Sequence, residues 1–137
     1  MEHQIGFPTN IFIGDNFINS LEGPEYTDGF IQGMKKHIEK LWAKRDKNKP
    51  NFQTHPFLYN EKEFQPLADL ILKKNLENMK TLKYNVELEN LFMSGMWANI
   101  IAPGEMHRAH THSNNLWSGV YYLYSDQNAG ITFQDPR

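Results

Sequence analysis

The order of residue patterns predicts an α+β domain, with two amphipathic helices packed on the outside of a β-sandwich or jelly roll. Three observations predict it. Apolar residues recur at helical spacing across the first two thirds of the chain, alternate at strand spacing in the last third, and no linker or internal repeat separates the two parts. At 137 residues the chain is one ordinary domain. The helical part spans about 25–83 and the β-rich part about 91–137.

The chain opens with β-formers at 5–13 interrupted by Pro8, the pattern of a short edge strand. In the first helix, from Glu25 to about Arg45, Tyr26, Phe30, Met34, Ile38, Leu41 and Trp42 form one apolar stripe. The charged run 44–50 reads as a solvated helix end and loop. Residues 51–60 are turn-rich with apolar anchors at Phe52, Phe57 and Leu58. A second helix is expected from about Glu61 to Lys83, with Pro66 tolerated in its first turn and Phe64, Leu67, Ile71, Leu72, Met79 and Leu82 facing the core.

From Leu91 the pattern changes. Residues 91–101 alternate around Trp97 and Asn99, Pro103-Gly104 marks a turn, and 106–112 reads as extended. The run 116–124 reads as a strong strand, Asp126 lies in a hairpin turn, and 130–133 pairs back. Trp97 and Trp117 are expected to fill the sandwich core.

Composition narrows the function. Hydrophobic content of 39% and aromatic content of 13% fit a globular protein, and the net charge of −2 gives no reason to expect nucleic acid or an anionic membrane as partner. With no cysteine there is no disulfide, thiolate nucleophile or zinc finger. No apolar run approaches a membrane span and the N-terminus lacks a signal-peptide pattern, so a cytoplasmic location is expected.

The chemistry concentrates at His110-Thr111-His112. Two imidazoles one residue apart on extended backbone point the same way, and neutral imidazole suits iron, zinc, copper or nickel. The bland alternative is a pair of histidines decorating an exposed edge. His107, at an odd offset, should face away. His3, His37 and His55 read as solvated or packing residues.

The C-terminal third resembles the iron(II)- and 2-oxoglutarate-dependent oxygenases, in particular a branch common in phage and marine bacterial genomes. The resemblance rests on Trp97-Ala98-Asn99, Gly104, His110-Thr111-His112, the run Ser118-Gly119-Val120-Tyr121-Tyr122-Leu123, and Phe133-Gln134-Asp135-Pro136-Arg137. It implies a double-stranded β-helix, left incomplete here, whose mouth holds Fe(II), with 2-oxoglutarate and O2 as co-substrates. His110 would be the first metal ligand, and His112 stands where the wider superfamily has aspartate. Tyr122, Ser118 and, more loosely, Asn99 fall where co-substrate contacts are made. The family's last histidine ligand and its later arginine have no position here to map onto, so the resemblance implies a fragment completed by further chain, a partner polypeptide or a homodimer. The rival readings are a three-histidine, cupin-type metalloenzyme and a non-catalytic jelly-roll accessory protein.

Overall fold

A computed structural model describes residues 9–14, 24–125 and 130–134, with backbone alone at 24–27. The expectations for His3, Asp126, Asp135 and Arg137, and for the first residues of the N-terminal strand, lie outside these. Helix α1 runs Pro24–Ala43, strand β1 Phe52–Gln53, helix α2 Gln65–Thr81 and strand β2 Asn99–Ile100, with 3₁₀ turns at Leu58–Asn60 and Leu88–Asn90. Both helices fall where the apolar spacing puts them.

Helix α1 packs through Phe30, Ile31, Met34, Ile38 and Leu41, and Met34 is fully buried. Trp42 departs from the expected stripe: it is exposed, and the Arg45 guanidinium covers its ring at 3.9 Å while donating to the Trp42 carbonyl at 3.2 Å. That contact satisfies an orphan carbonyl of the last turn and shields the indole without a core neighbour.

Helix α2 starts later than Glu61. The Glu61 carbonyl accepts the N–H groups of Phe64 and Gln65, closing a turn that places buried Phe64 as the cap residue with Pro66 just inside. Leu67, Ala68, Leu70 and Met79 are buried. Leu70, outside the expected stripe, is buried one turn after Leu67, while Ile71 and Leu72 are half-buried. The helix ends in a Schellman arrangement: Tyr84 N–H donates to the Met79 carbonyl at 3.0 Å and Lys83 N–H to that of Lys80 at 2.9 Å. Lys83 holds the left-handed position at φ 62°.

The core is Met34, Leu58, Phe64 and Leu67, with Met96, Ala98, Tyr121 and Leu123 packed on it from the C-terminal part. A seam of backbone bonds joins the two parts. β1 and β2 pair antiparallel with Phe52 opposite Ile100 and Gln53 opposite Asn99. Thr54 N–H donates to the Ala98 carbonyl, Leu58 N–H to that of Met96, and Met96 N–H to that of Pro56. The buried Thr54 hydroxyl accepts the Ala98 N–H at 3.0 Å and donates to the His55 carbonyl at 3.1 Å. Phe57, expected as an anchor, is exposed beside this seam, because its bridge to Met96 is made through the backbone.

Ala102 to Glu105 closes the expected turn, with Glu105 N–H donating to the Ala102 carbonyl and Gly104 at φ 83°. That dihedral favours glycine. Among the described residues, 106–112 and 116–124 carry no strand ladder. The second run nevertheless alternates at 116–118 and again at 120–124, with exposed Gly119 between them. Leu116, Ser118, Val120, Tyr122 and Tyr124 are exposed, whereas Trp117, Tyr121 and Leu123 are half-buried. One side of this segment is therefore anchored on the helical core, while the other is open and largely apolar. Burial raises the Tyr121 hydroxyl pKa above its ordinary value.

Candidate metal centre

The turn after His112 is built locally. Asn114 takes the left-handed conformation at φ 60°, which asparagine tolerates, and Ser94 donates to the Asn115 side-chain oxygen at 2.7 Å. The chain then reverses and carries Ser118 back beside His112. Gly95 leaves room on the opposite side: a Cβ there would lie 3.2 Å from the Trp97 ring. Trp97 in turn presents an edge-to-face contact to His112, with centroids 5.2 Å apart. Trp97 thus packs beside His112, and Trp117 makes an edge contact with Phe12 at 5.7 Å.

The two imidazoles converge. His110 Nε2 and His112 Nε2 lie 3.0 Å apart. His110 Nδ1 lies 2.8 Å from the Arg108 carbonyl oxygen, and His112 Nδ1 lies 3.0 Å from the Ser118 hydroxyl. Both inner nitrogens are thus held from behind, and the two outer nitrogens approach each other. That is the supporting shell a histidine metal ligand requires. The spacing is a test of fit. Nitrogens 3.0 Å apart, each about 2.1 Å from one cation as in zinc–imidazole bonds, subtend about 90° at it. Two imidazole nitrogens this close could both reach one cation, and imidazole suits iron, zinc, copper or nickel.

Ser118 therefore touches His112 directly. Tyr122 is exposed on the same side of the chain as Ser118. Asn99 stands opposite Gln53 on the sheet, and no described hydrogen bond joins its side chain to either histidine. His107 corrects the parity argument: its ring lies 4.7 Å from that of His110 instead of facing away, because 106–112 is not a regular strand.

A second group escaped the sequence reading. Among the described residues, His37, Glu61 and Glu63 are the three that bring potential metal-ligand atoms within 4.8 Å of one another. His37 Nδ1 lies 3.4 Å from Glu63 Oε2, and its ring packs edge-on against Phe64 at 5.6 Å. The Glu63 carboxyl is held below its ordinary pKa, first by its own backbone N–H and then, against some desolvation, by His37 and Lys40. Nothing in the sequence signals this group, since a helix face and a loop 24 residues away supply its members. An open groove of about 810 Å³ lies beside it and touches Gly33, Lys62, Glu63 and Pro66, away from His110 and His112. Position in the chemistry here follows converging nitrogens, not concavity.

Comparison with known proteins bears on the histidine pair. Residues 95–137 match the family model described as "Putative 2OG-Fe(II) oxygenase". That segment contains both histidines and their Ser118 and Arg108 partners, and the family description implies Fe(II) and 2-oxoglutarate. The chain is also 38% identical over 82 residues to a protein named Endoribonuclease YbeY from Buchnera aphidicola subsp. Acyrthosiphon pisum (strain APS). That match covers 57% of this chain and 50% of the relative, so the chain spans about half the length of the curated relative it matches. No solved structure matches significantly. Among the described residues, no helix is long and apolar enough to cross a membrane.

Proposed function

We propose that residues 95–137 supply the iron-binding portion of an Fe(II)- and 2-oxoglutarate-dependent oxygenase, with His110 and His112 as two ligands. The observation that carries this reading is the 3.0 Å approach of the two Nε2 atoms inside the oxygenase-matched segment. When bound, iron and 2-oxoglutarate would supply hydroxylation of an unactivated C–H bond by O2, with succinate and CO2 as co-products.

The chain's own residues have narrower tasks. Arg108 and Ser118 orient the two rings, and Trp97 closes one side of His112 against water. Tyr122, exposed beyond Ser118, offers its hydroxyl to a 2-oxoglutarate carboxylate. Asn99 is a looser co-substrate contact.

A jelly roll remains the proposed architecture. Its support is the two-sided run 116–124, with one side on the helical core and the other, carrying Leu116, Val120, Tyr122 and Tyr124, free for a second sheet. Ser118 on that open side reaches His112, so the metal pair and the proposed barrel interior coincide.

The rival reading is a three-histidine, cupin-type centre independent of 2-oxoglutarate; His107 packs its ring on His110, but its nitrogens do not join those of His110 and His112 within 4.8 Å. The likeness to the endoribonuclease is weighed against a net charge of −2, which offers no basic surface to a phosphodiester chain.

The test is 2-oxoglutarate turnover to succinate with anaerobically loaded Fe(II), then O2, comparing wild type with His110→Ala and His107→Ala. Succinate formation lost in His110→Ala and kept in His107→Ala is the expected result. Equal rates in wild type and His110→Ala remove the oxygenase reading. Metal binding indifferent to 2-oxoglutarate and lost in His107→Ala selects the three-histidine centre.

A further inference from the structure

Away from the histidine pair, the turn that leads into α2 lies directly against α1. A Cβ at Gly33 would meet Glu63 Cγ at 3.9 Å, in ordinary van der Waals contact. One helical turn later, His37 meets the same stretch, with Nδ1 3.4 Å from Glu63 Oε2. Phe64 holds the imidazole edge-on at 5.6 Å. The turn is itself fixed, because the Glu61 carbonyl accepts the N–H groups of Phe64 and Gln65 and Phe64 is buried. Scaffold packing thus brings ligand atoms of His37, Glu61 and Glu63 within 4.8 Å of one another.

This group differs from a solvated acidic patch. It contains a nitrogen donor, and all three residues are half-buried. Among the described residues the Glu61 carboxylate makes no hydrogen bond or ion pair, although a second carboxylate stands beside it. Like charges this close repel. Lys40 acts on Glu63 from α1 and Lys62 lines the adjoining groove, but neither forms a described ion pair with Glu61 or Glu63. A divalent cation would balance both carboxylates. Imidazole with carboxylate is a donor set for zinc-class ions, whereas magnesium and calcium take oxygen. Two tetrahedral ligands, each about 2.1 Å from zinc, lie about 3.4 Å apart, which is the separation His37 Nδ1 and Glu63 Oε2 already have. Glu61, otherwise uncommitted, closes the third position, and the open groove along Glu63 admits water to a fourth.

We propose that His37, Glu61 and Glu63 form a second metal site, for a zinc-class divalent cation, that clamps α1 to the turn entering α2. It shares no residue with the histidine pair, so it stands or falls apart from the oxygenase reading. Its role is structural. Only the folded chain brings the three ligands together, so the bound cation stabilises the fold by mass action.

The experiment uses the full chain carrying His110→Ala and His112→Ala, so that zinc(II), the probe, has no histidine pair to occupy. Calorimetric titration should show one zinc per chain, and the melting temperature should rise with zinc concentration. Glu61→Gln and Glu63→Gln should each weaken zinc binding by about 10-fold or more, since losing even a ligand's supporting partner costs that much, and should abolish the melting shift. Glu61→Gln decides, because its carboxylate holds no described bond and its metal-free melting temperature should equal the parent's. Magnesium(II) at the same concentration should leave the melt unchanged.

A parent that binds no zinc, or zinc bound equally by parent and Glu61→Gln, overturns the site. Zinc bound without a melting shift overturns the clamp, and a magnesium shift equal to that of zinc overturns the zinc-class assignment. Should the parent fail to fold, Glu61→Gln in the wild-type chain decides, by loss of one bound zinc per chain.

Discussion

The helical region and the C-terminal segment are held in different ways. Among the described residues, the buried apolar ones, Met34, Leu58, Phe64, Leu67, Ala68, Leu70 and Met79, all lie between 34 and 79. The segment after 95 contributes only half-buried side chains, Met96, Ala98, Tyr121 and Leu123, to the same core. Its order comes instead from polar contacts: the Thr54 seam, the Ser94–Asn115 bond, and the chain through the two histidines. Apolar burial holds the scaffold, and directed hydrogen bonds hold the candidate site. The first is tolerant of geometry, whereas the second is specific about it.

That contrast can be broken from the scaffold side. Leu58 is fully buried between the helices, and Leu58→Ala should cost about 2–5 kcal/mol of unfolding free energy. Denaturant melts followed by helix ellipticity measure it, and a change below about 1 kcal/mol would show that the helices do not depend on this contact.

Cutting the seam should separate the regions. Thr54→Val removes the acceptor of the Ala98 N–H and leaves that half-buried group unpaired, at a cost of about 1 kcal/mol. Amide hydrogen exchange should accelerate between 95 and 124 while α1 and α2 keep their protection. Uniform acceleration across both regions would mean that they open as one unit.

The smallest effect sharpens the scaffold alone. Lys83 occupies the left-handed position of the α2 terminus, where a side chain costs roughly 1–2 kcal/mol. Lys83→Gly should raise stability by about 1 kcal/mol, net of glycine's greater unfolded-state freedom. Zinc affinity should not change, and a change there would couple the helix end to the site.

Both helices were legible in the sequence because a 3.6-residue period is a local property, and most of the stripe residues can be named from it. Trp42, placed on the buried stripe, and Leu70, left off it, differ for another reason. Spacing says which side of a helix is apolar, but not where the packed patch ends. The histidine pair was legible as a pair, and its neighbours were not. His107 was sent to the wrong side by strand parity, which requires a regular strand to operate. His37, Glu61 and Glu63 come together only through the packing of α1 against the turn before α2.

The sequence by itself determined the elements that depend on near neighbours: two helices, the Pro103-Gly104 turn, and two imidazoles separated by one residue. Tertiary structure decided which groups stand behind those imidazoles. The turn at Asn114 returns Ser118 to His112, while the backbone at Arg108 presents its carbonyl to His110. Ring orientation is settled by hydrogen-bond partners, and partners are set by how the chain folds back on itself.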